Sequence, residues 1–184
     1  MNSYNKTKIG KLFAFGGEHL VYEYDTDFVI KFSFLYFILG QKAREKAEKD
    51  YATCGKFFGK YILETEIAIS PNKKHIVHIQ PKIKGHFLVK KDLQKDIVRQ
   101  QFIEIVDGYY SMTKAGNAEV DFIGRAGIFN RCLSNIFVTE NNELFIIDAT
   151  LLDVNTKGFL TPFVFLLRKF VVWRQNSTFK LFLS

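Results

Sequence analysis

Proline and cysteine are scarce, at three and two residues in a chain of 184. With so little proline and no low-complexity stretch, no extended linker is predicted, and the length suits one folding unit or two small lobes. Cys54 and Cys132 lie far apart without metal-ligand spacing, so they read as reduced intracellular thiols and not as a disulfide framework. His19, His75, His78 and His86 have no zinc-like spacing, and no Ser/His/Asp or Cys/His arrangement occurs. The N-terminus MNSYNKTKIGKLF lacks an apolar stretch long enough for a secretory signal. The longest apolar run, PFVFLLRKFVVW, is interrupted by Arg168 and Lys169. Neither export nor a membrane span is expected, and a cytoplasmic protein is the default. No internal repeat is present.

What is abundant is phenylalanine, 20 residues within a 47% apolar composition, which predicts a packed core over disorder. The net charge of +7 arises mostly from lysines between residues 40 and 99. Such a surface favours anionic partners, nucleotides, acidic proteins or nucleic acid, although a solvated lysine-rich face accounts for it equally well. PKIKGHFLVKK lacks an interleaved aromatic platform, which argues against nucleic acid.

Residues 9 to 33 predict three strands, IGKLFAF, HLVYEY and DFVIKFS, broken at Gly16-Gly17 and at Asp25-Thr26-Asp27. Residues 41 to 54 predict a helix with Ala43, Ala47, Tyr51 and Cys54 on one stripe. LETEIAIS and HIVHIQ flank the polar turn SPNKK and complete an antiparallel sheet of five strands. Residues 92 to 114 place Val98, Phe102, Ile105, Val106, Tyr109 and Met112 at helical spacing, with Gly116 just past the end. NIFVT and ELFIID predict a hairpin around Asn141-Asn142, and residues 159 to 174 a helix apolar nearly all round. If Asn141 and Asn142 are the whole loop, Asn135 stands directly opposite Asp148, their Cβ atoms roughly 5 Å apart. An amide oxygen and a carboxylate converging in this way suit a hard divalent cation, though a hairpin with a polar cap is the plainer account.

The segment NRCLSNIFVTENNELFIIDATLL resembles the catalytic-loop-to-metal-loop region of the protein-kinase-like superfamily. Resemblance covers residues from about 10 to 155. It implies an α+β, protein-kinase-like fold: an N-lobe of residues 1–84 with a five-stranded antiparallel sheet and one helix, and a reduced helical C-lobe of residues 85–184. It implies ATP and Mg2+ as cofactors, with Asn135 and Asp148, at the family's spacing, as metal ligands. Ala149-Thr150 replace the usual Phe-Gly. DFVIKF resembles the strand of the ATP-anchoring lysine, which makes Lys31 the phosphate ligand, whereas read alone Lys31 could equally guard an edge strand. Glu45, Glu48 and Asp50 are the candidates for its carboxylate partner, Glu48 being preferred because it borders the apolar stripe. FAFGGEHLVYEY resembles the glycine-rich hairpin, with Gly16 and Gly17 near the phosphates and Val21 roofing the adenine. HIQPKIKG is then the hinge, with Ile79 behind the adenine and the backbone of Gln80 and Lys82 along its polar edge.

Two departures bear on activity. The family's catalytic Asp position, five residues before the metal-binding Asn, is Asn130, and an amide cannot act as a general base. Asp121 is the nearest upstream carboxylate. The helices after the metal loop shrink to one segment, whose Phe163, Phe165, Leu166, Phe170, Val171 and Trp173 suggest self-association or partner binding. The resemblance therefore implies a phosphotransferase moving the terminal phosphate of ATP to a hydroxyl of an unidentified protein or small molecule. A pseudokinase acting as a nucleotide-binding or partner-binding module and a small-molecule kinase stay open beside it.

Overall fold

Aromatic and β-branched residues between turn signals form three consecutive strands, β1 (Ile9–Phe15), β2 (His19–Tyr24) and β3 (Phe28–Ser33), in the computed structural model. The structure describes residues 3–15, 19–33, 36, 42–70, 75–124, 132–152 and 161–184, and gives only the backbone of Phe15 and of residues 161–164. After β3 come α1 (Lys42–Phe58), β4 (Glu66–Ile69), β5 (Ile76–Pro81) and β6 (Gly85–Val89). They are followed by α2 (Asp96–Lys114), β7 (Cys132–Thr139), β8 (Leu144–Ile146) and α3 (Thr161–Leu183). The protein is α+β, with a five-stranded antiparallel sheet and, among the described residues, three α-helices. The chain divides into two units, Met1–Ala52 with Leu63–Ile83, and Thr53–Ile62 with Lys84–Ser184.

In the first unit the strand order is β1-β2-β3-β5-β4. Period-two alternation gives the sheet two distinct faces. Ile30, Ala68, Val77 and Ile79 bury one of them together with Tyr4. On the other, Ile76 packs with Ala43 and Ala47 of α1 and with Tyr36. The α1 stripe that turns inward is Ala43, Ala47, Asp50 and Cys54, all fully buried, at the three- and four-residue spacing of one helix face.

In the second unit β6, β7 and β8 form an antiparallel three-stranded sheet. The sequence signals the β7–β8 hairpin but not β6, since GHFLV sits inside a lysine-rich stretch. Aromatic rings make the core. Phe179 of α3 meets Phe102, Tyr109 and Phe122 with ring centroids 5.9, 5.4 and 6.0 Å apart, and Phe58 lies 5.6 Å from Phe122. Helices α1 and α3 both run past the lengths expected of them, to Phe58 and Leu183. Their extra turns carry core residues Phe58, Phe179 and Phe182.

Two helical glycines separate packing from helix propensity. A Cβ on Gly55 of α1 meets nothing within 4 Å, whereas one on Gly108 of α2 would lie 2.7 Å from the Phe57 carbonyl oxygen. Gly55→Ala is expected to raise stability by about 0.5–1 kcal/mol. Gly108→Ala is expected to lower it by about 1–3 kcal/mol, because α2 must back away from the end of α1. Chemical denaturation of the two variants checks the opposite signs.

Candidate functional site

The β7–β8 hairpin pairs Ile136 with Ile146, Phe137 with Phe145 and Val138 with Leu144. This register is one residue away from the expected one. The Thr139 N–H donates to the Glu143 carbonyl and the Asn142 N–H to the Thr139 carbonyl, both at 2.9 Å. The loop therefore has three residues, 140–142, and closes on Asn142 at φ 63°, the left-handed conformation that a three-residue hairpin uses and asparagine tolerates. Helix α2 holds this turn: the Gln101 amide donates to the Asn142 carbonyl at 2.8 Å and accepts from the Leu144 N–H at 2.9 Å. Consequently Asn135 stands opposite Ile147, whose N–H donates to the Asn135 carbonyl at 3.0 Å, and not opposite Asp148. Asp148 lies beyond the end of β8, buried, with its Oδ1 accepting from the Thr150 N–H at 3.1 Å and the Thr150 hydroxyl at 2.7 Å.

A third element lies against both β7 and the chain after β8. Residues 119–124 run between β7 and the chain after β8. On one side, the Asn135 and Ser134 N–H groups donate to the carbonyls of Phe122 and Ile123. On the other, Val120 bridges Leu151 and the Leu152 N–H donates to the Glu119 carbonyl. Asp121 sits at the middle of this segment. Its carbonyl accepts from the Asn135 side-chain amide at 2.7 Å. Its carboxylate accepts from the N–H groups of Ile123 and Gly124 at 2.8 and 3.0 Å. Because only the nitrogen of Asn135 can donate to a carbonyl, this bond also fixes which way the amide oxygen points.

Gln175 of α3 secures the same segment from behind. Buried itself, it accepts from the Phe122 N–H at 2.7 Å and donates to the Val120 carbonyl at 3.1 Å, one bond on each side of Asp121. Burial pushes the Asp121 carboxyl above the usual carboxylate range. The Gly124 and Ile123 N–H groups pull it part of the way down, Asp148 beside it pushes it up, and Arg174 eases it down.

Asn135 is tied to the Asp121 backbone and Asp148 acts on the Asp121 carboxyl, and amide and carboxylate oxygens are the hard donors that suit ions such as magnesium. Among the described residues no three His, Cys, Asp or Glu side chains gather closely enough to cage a metal alone.

In the first unit Lys31, half-buried on β3, lies opposite Val21 of β2 and His78 of β5. Directly opposed residues share a face, and His78 receives the ring edges of Tyr36 and Tyr51, so Lys31 is on the face that carries α1. Gln80, opposite Val29, is on that face too, its amide donating to the Thr65 hydroxyl at 2.8 Å. Ile79 is not. It pairs with Ile30 and belongs to the cluster on the other face. The Lys82 N–H is taken by the Asp27 carbonyl at 2.7 Å, and its ammonium pairs with Glu23, so its backbone donor is not presented to a ligand. Glu48 is half exposed and pairs with Arg44 at 2.6 Å, while the carboxylate on the buried stripe is Asp50, paired with Lys46 at 2.9 Å. The physical reason is helical spacing: Asp50 follows Ala43 and Ala47 at i+7 and i+3, whereas Glu48 is turned about 100° from Ala47. Gly16, Gly17 and Asn130 lie outside the described residues.

No protein-family model matches the chain, and no curated protein matches it.

Gly124 and Gly116 form a matched test of this site. Both have positive φ, +54° and +77°, but a Cβ on Gly116 meets nothing, whereas one on Gly124 would lie 2.6 Å from Ser134 Oγ and 2.7 Å from Asn135 Oδ1. Each alanine variant is expected to lose about 1–2 kcal/mol through the backbone. Gly124→Ala is expected to lose more and to displace the Asn135 amide. Thermal melts of the pair, with the Asn135 side-chain resonances followed by NMR, check the difference.

Proposed function

We propose that the chain is a kinase-like phosphotransferase that binds Mg-ATP and passes the terminal phosphate to a hydroxyl. The observation that carries the proposal is the link from the Asn135 amide to the Asp121 backbone and from the Asp121 carboxyl to Asp148. The five-stranded antiparallel sheet, with its helix inserted after the third strand, supports it as the layout that the resemblance implies. Asn135 and Asp148 would hold magnesium, which when bound supplies positive charge at the phosphate oxygens. Lys31 would meet the phosphates, with Asp50 in place of Glu48 as the candidate acid of α1. Asp121 would take the proton of the attacking hydroxyl, the task that the amide of Asn130 cannot perform. A carboxyl pushed up by burial suits this role, since it binds a proton more readily than an exposed one.

Asn130 favours a second reading, a pseudokinase that binds nucleotide without turnover. Thermal shift with ATP, with and without magnesium, followed by release of labelled phosphate, separates the two. Asp148→Ala is expected to abolish the magnesium-dependent part of the shift. Asp121→Asn is expected to keep nucleotide binding and to lose about 10²–10⁴-fold in turnover. Because the Asp121 carboxyl is raised, turnover should climb as pH rises through that raised value, and the variant should lose this acid limb. The same shift has a sign for stability. A raised carboxyl favours folding fully below its unfolded pKa, and that contribution is lost as pH rises through the folded value, so Asp121→Asn should melt higher than the wild type at neutral pH. Binding without turnover in the wild type selects the pseudokinase, and no nucleotide-dependent shift at all rejects both.

A further inference from the structure

Helix α3 is used on one side only. Gln175, Phe179 and Phe182 are buried in the second unit, while Phe165, Leu166, Leu167, Phe170 and Trp173 are exposed, Trp173 at 64%. Leu166, Leu167, Lys169, Phe170 and Trp173 form a continuous open surface that is almost wholly apolar. At 100° per residue, Phe165, Leu166, Lys169, Phe170, Trp173 and Lys180 fall within one outward stripe. An apolar patch of this kind on a folded domain marks a contact surface.

Charge identifies what covers it. Residues 161–183 contain Arg168, Lys169, Arg174 and Lys180 and no Asp or Glu. Arg168 is committed to Glu119, and Arg174 acts on Asp121 and Cys132 on the inner side. Lys169 and Lys180 are therefore the cations of the outward stripe. Lys169 lies 4.5 Å over the Phe165 ring, its stem along apolar surface and its ammonium at the edge. Lys90, on the segment before α2, reaches Ser184 at the helix end with its ammonium 3.4 Å from the hydroxyl. A second copy of the chain would oppose two cationic helices that have no acids to pair, so like charge disfavours it. A protein partner is normally fixed by about one hydrogen bond per 100–200 Å² of interface. Beyond lysines and one indole the stripe offers Asn176, which already accepts from the Tyr110 hydroxyl, and Ser177, which donates to the Trp173 carbonyl. An anionic bilayer surface requires neither geometry nor hydrogen-bond register, only apolar side chains to sink to the acyl boundary and cations at headgroup level, where Trp is favoured.

We propose that the outward stripe of α3 docks on an anionic lipid surface, Phe165, Leu166, Phe170 and Trp173 entering the headgroup boundary and Lys169, Lys180 and Lys90 meeting the lipid phosphates. The helix lies in the interface and does not cross it, in keeping with the finding that, among the described residues, no helix is long and apolar enough to span a membrane.

Trp173 is the sole tryptophan of the chain, so the whole protein reports on its own docking. Its fluorescence is measured with vesicles of phosphatidylcholine alone and with vesicles containing about one third phosphatidylglycerol, a level that gives a strongly negative surface. The expected result is a blue shift with the anionic vesicles only, weakening as salt is raised. Lys169→Gln and Lys180→Gln, both on the exposed face, should each reduce partitioning about fivefold. Three results overturn the proposal: no shift with either vesicle, equal binding to both, or a blue shift that follows protein concentration without lipid, which identifies a second copy as the occupant. A shift produced by an acidic polypeptide such as polyglutamate but not by anionic vesicles would overturn it as well, in favour of a protein partner.

Discussion

The hydrogen bond from the Asn135 side chain to the Asp121 carbonyl organises the second unit around its polar centre. It joins β7 to a segment that belongs to no strand, and it acts together with the N–H groups of Ser134 and Asn135, which donate to the next two carbonyls. Three successive carbonyls, 121 to 123, are thereby satisfied from one strand edge, the condition for burying irregular backbone at all. The amide cannot be exchanged for an isosteric carboxylate or an apolar group without leaving the Asp121 carbonyl without its donor. A single side chain thus both supports the turn and has its own oxygen aimed by it.

Helix α3 completes the arrangement from the other side. A glutamine on the buried face of an apolar helix is costly unless both ends of its amide are bonded. Gln175 meets that condition by accepting from Phe122 and donating to Val120, so the helix engages the segment much as a paired strand would. Around it Phe179 packs with Phe102, Tyr109 and Phe122, and burial, with Glu119 nearby, pushes the Tyr109 phenol up to about 12. The position of Asp121 depends on the docking of α3 as much as on the β7–β8 hairpin, which is why a helix apolar nearly all round contains one glutamine at this point.

The strands of the first unit are legible because each is a short β-branched or aromatic run between turn residues, and β1 to β5 occupy the segments read for them. What local pattern could not supply was register and direction. A pair of asparagines in a hairpin predicts a two-residue loop, yet Asn142 takes the left-handed conformation as the last of three, and one added residue moves Asn135 from Asp148 to Ile147. Likewise Glu48 borders the apolar stripe of α1, but Asp50 is on it, and Ile79 differs from Gln80 by one position and therefore by one face of the sheet. Asp121 and Gln175 were missed as partners because their contacts, 14 and 53 residues distant, follow no sequence period. The spacing Asp121-Phe122-Ile123-Gly124 was the available signal, a turn in which a carboxylate caps the following N–H groups before a left-handed glycine.

The centre so formed is not what stability alone would select. Burial raises the Asp121 carboxyl and Asp148 raises it further, against one guanidinium, Arg174, acting in the opposite sense. An asparagine at position 121 could accept the same two backbone N–H groups without the desolvation of a charge. Groups that are locally unfavourable yet held by many contacts are the usual mark of a working site, and the segment around residue 121 is held from several sides: by β7 through Asn135, by the chain after β8 through Leu151 and Leu152 at residues 120 and 119, and by α3 through Gln175 at residues 120 and 122. On the proposed reading, the excess negative charge is the part of the site that a magnesium ion and a transferring phosphoryl group complete.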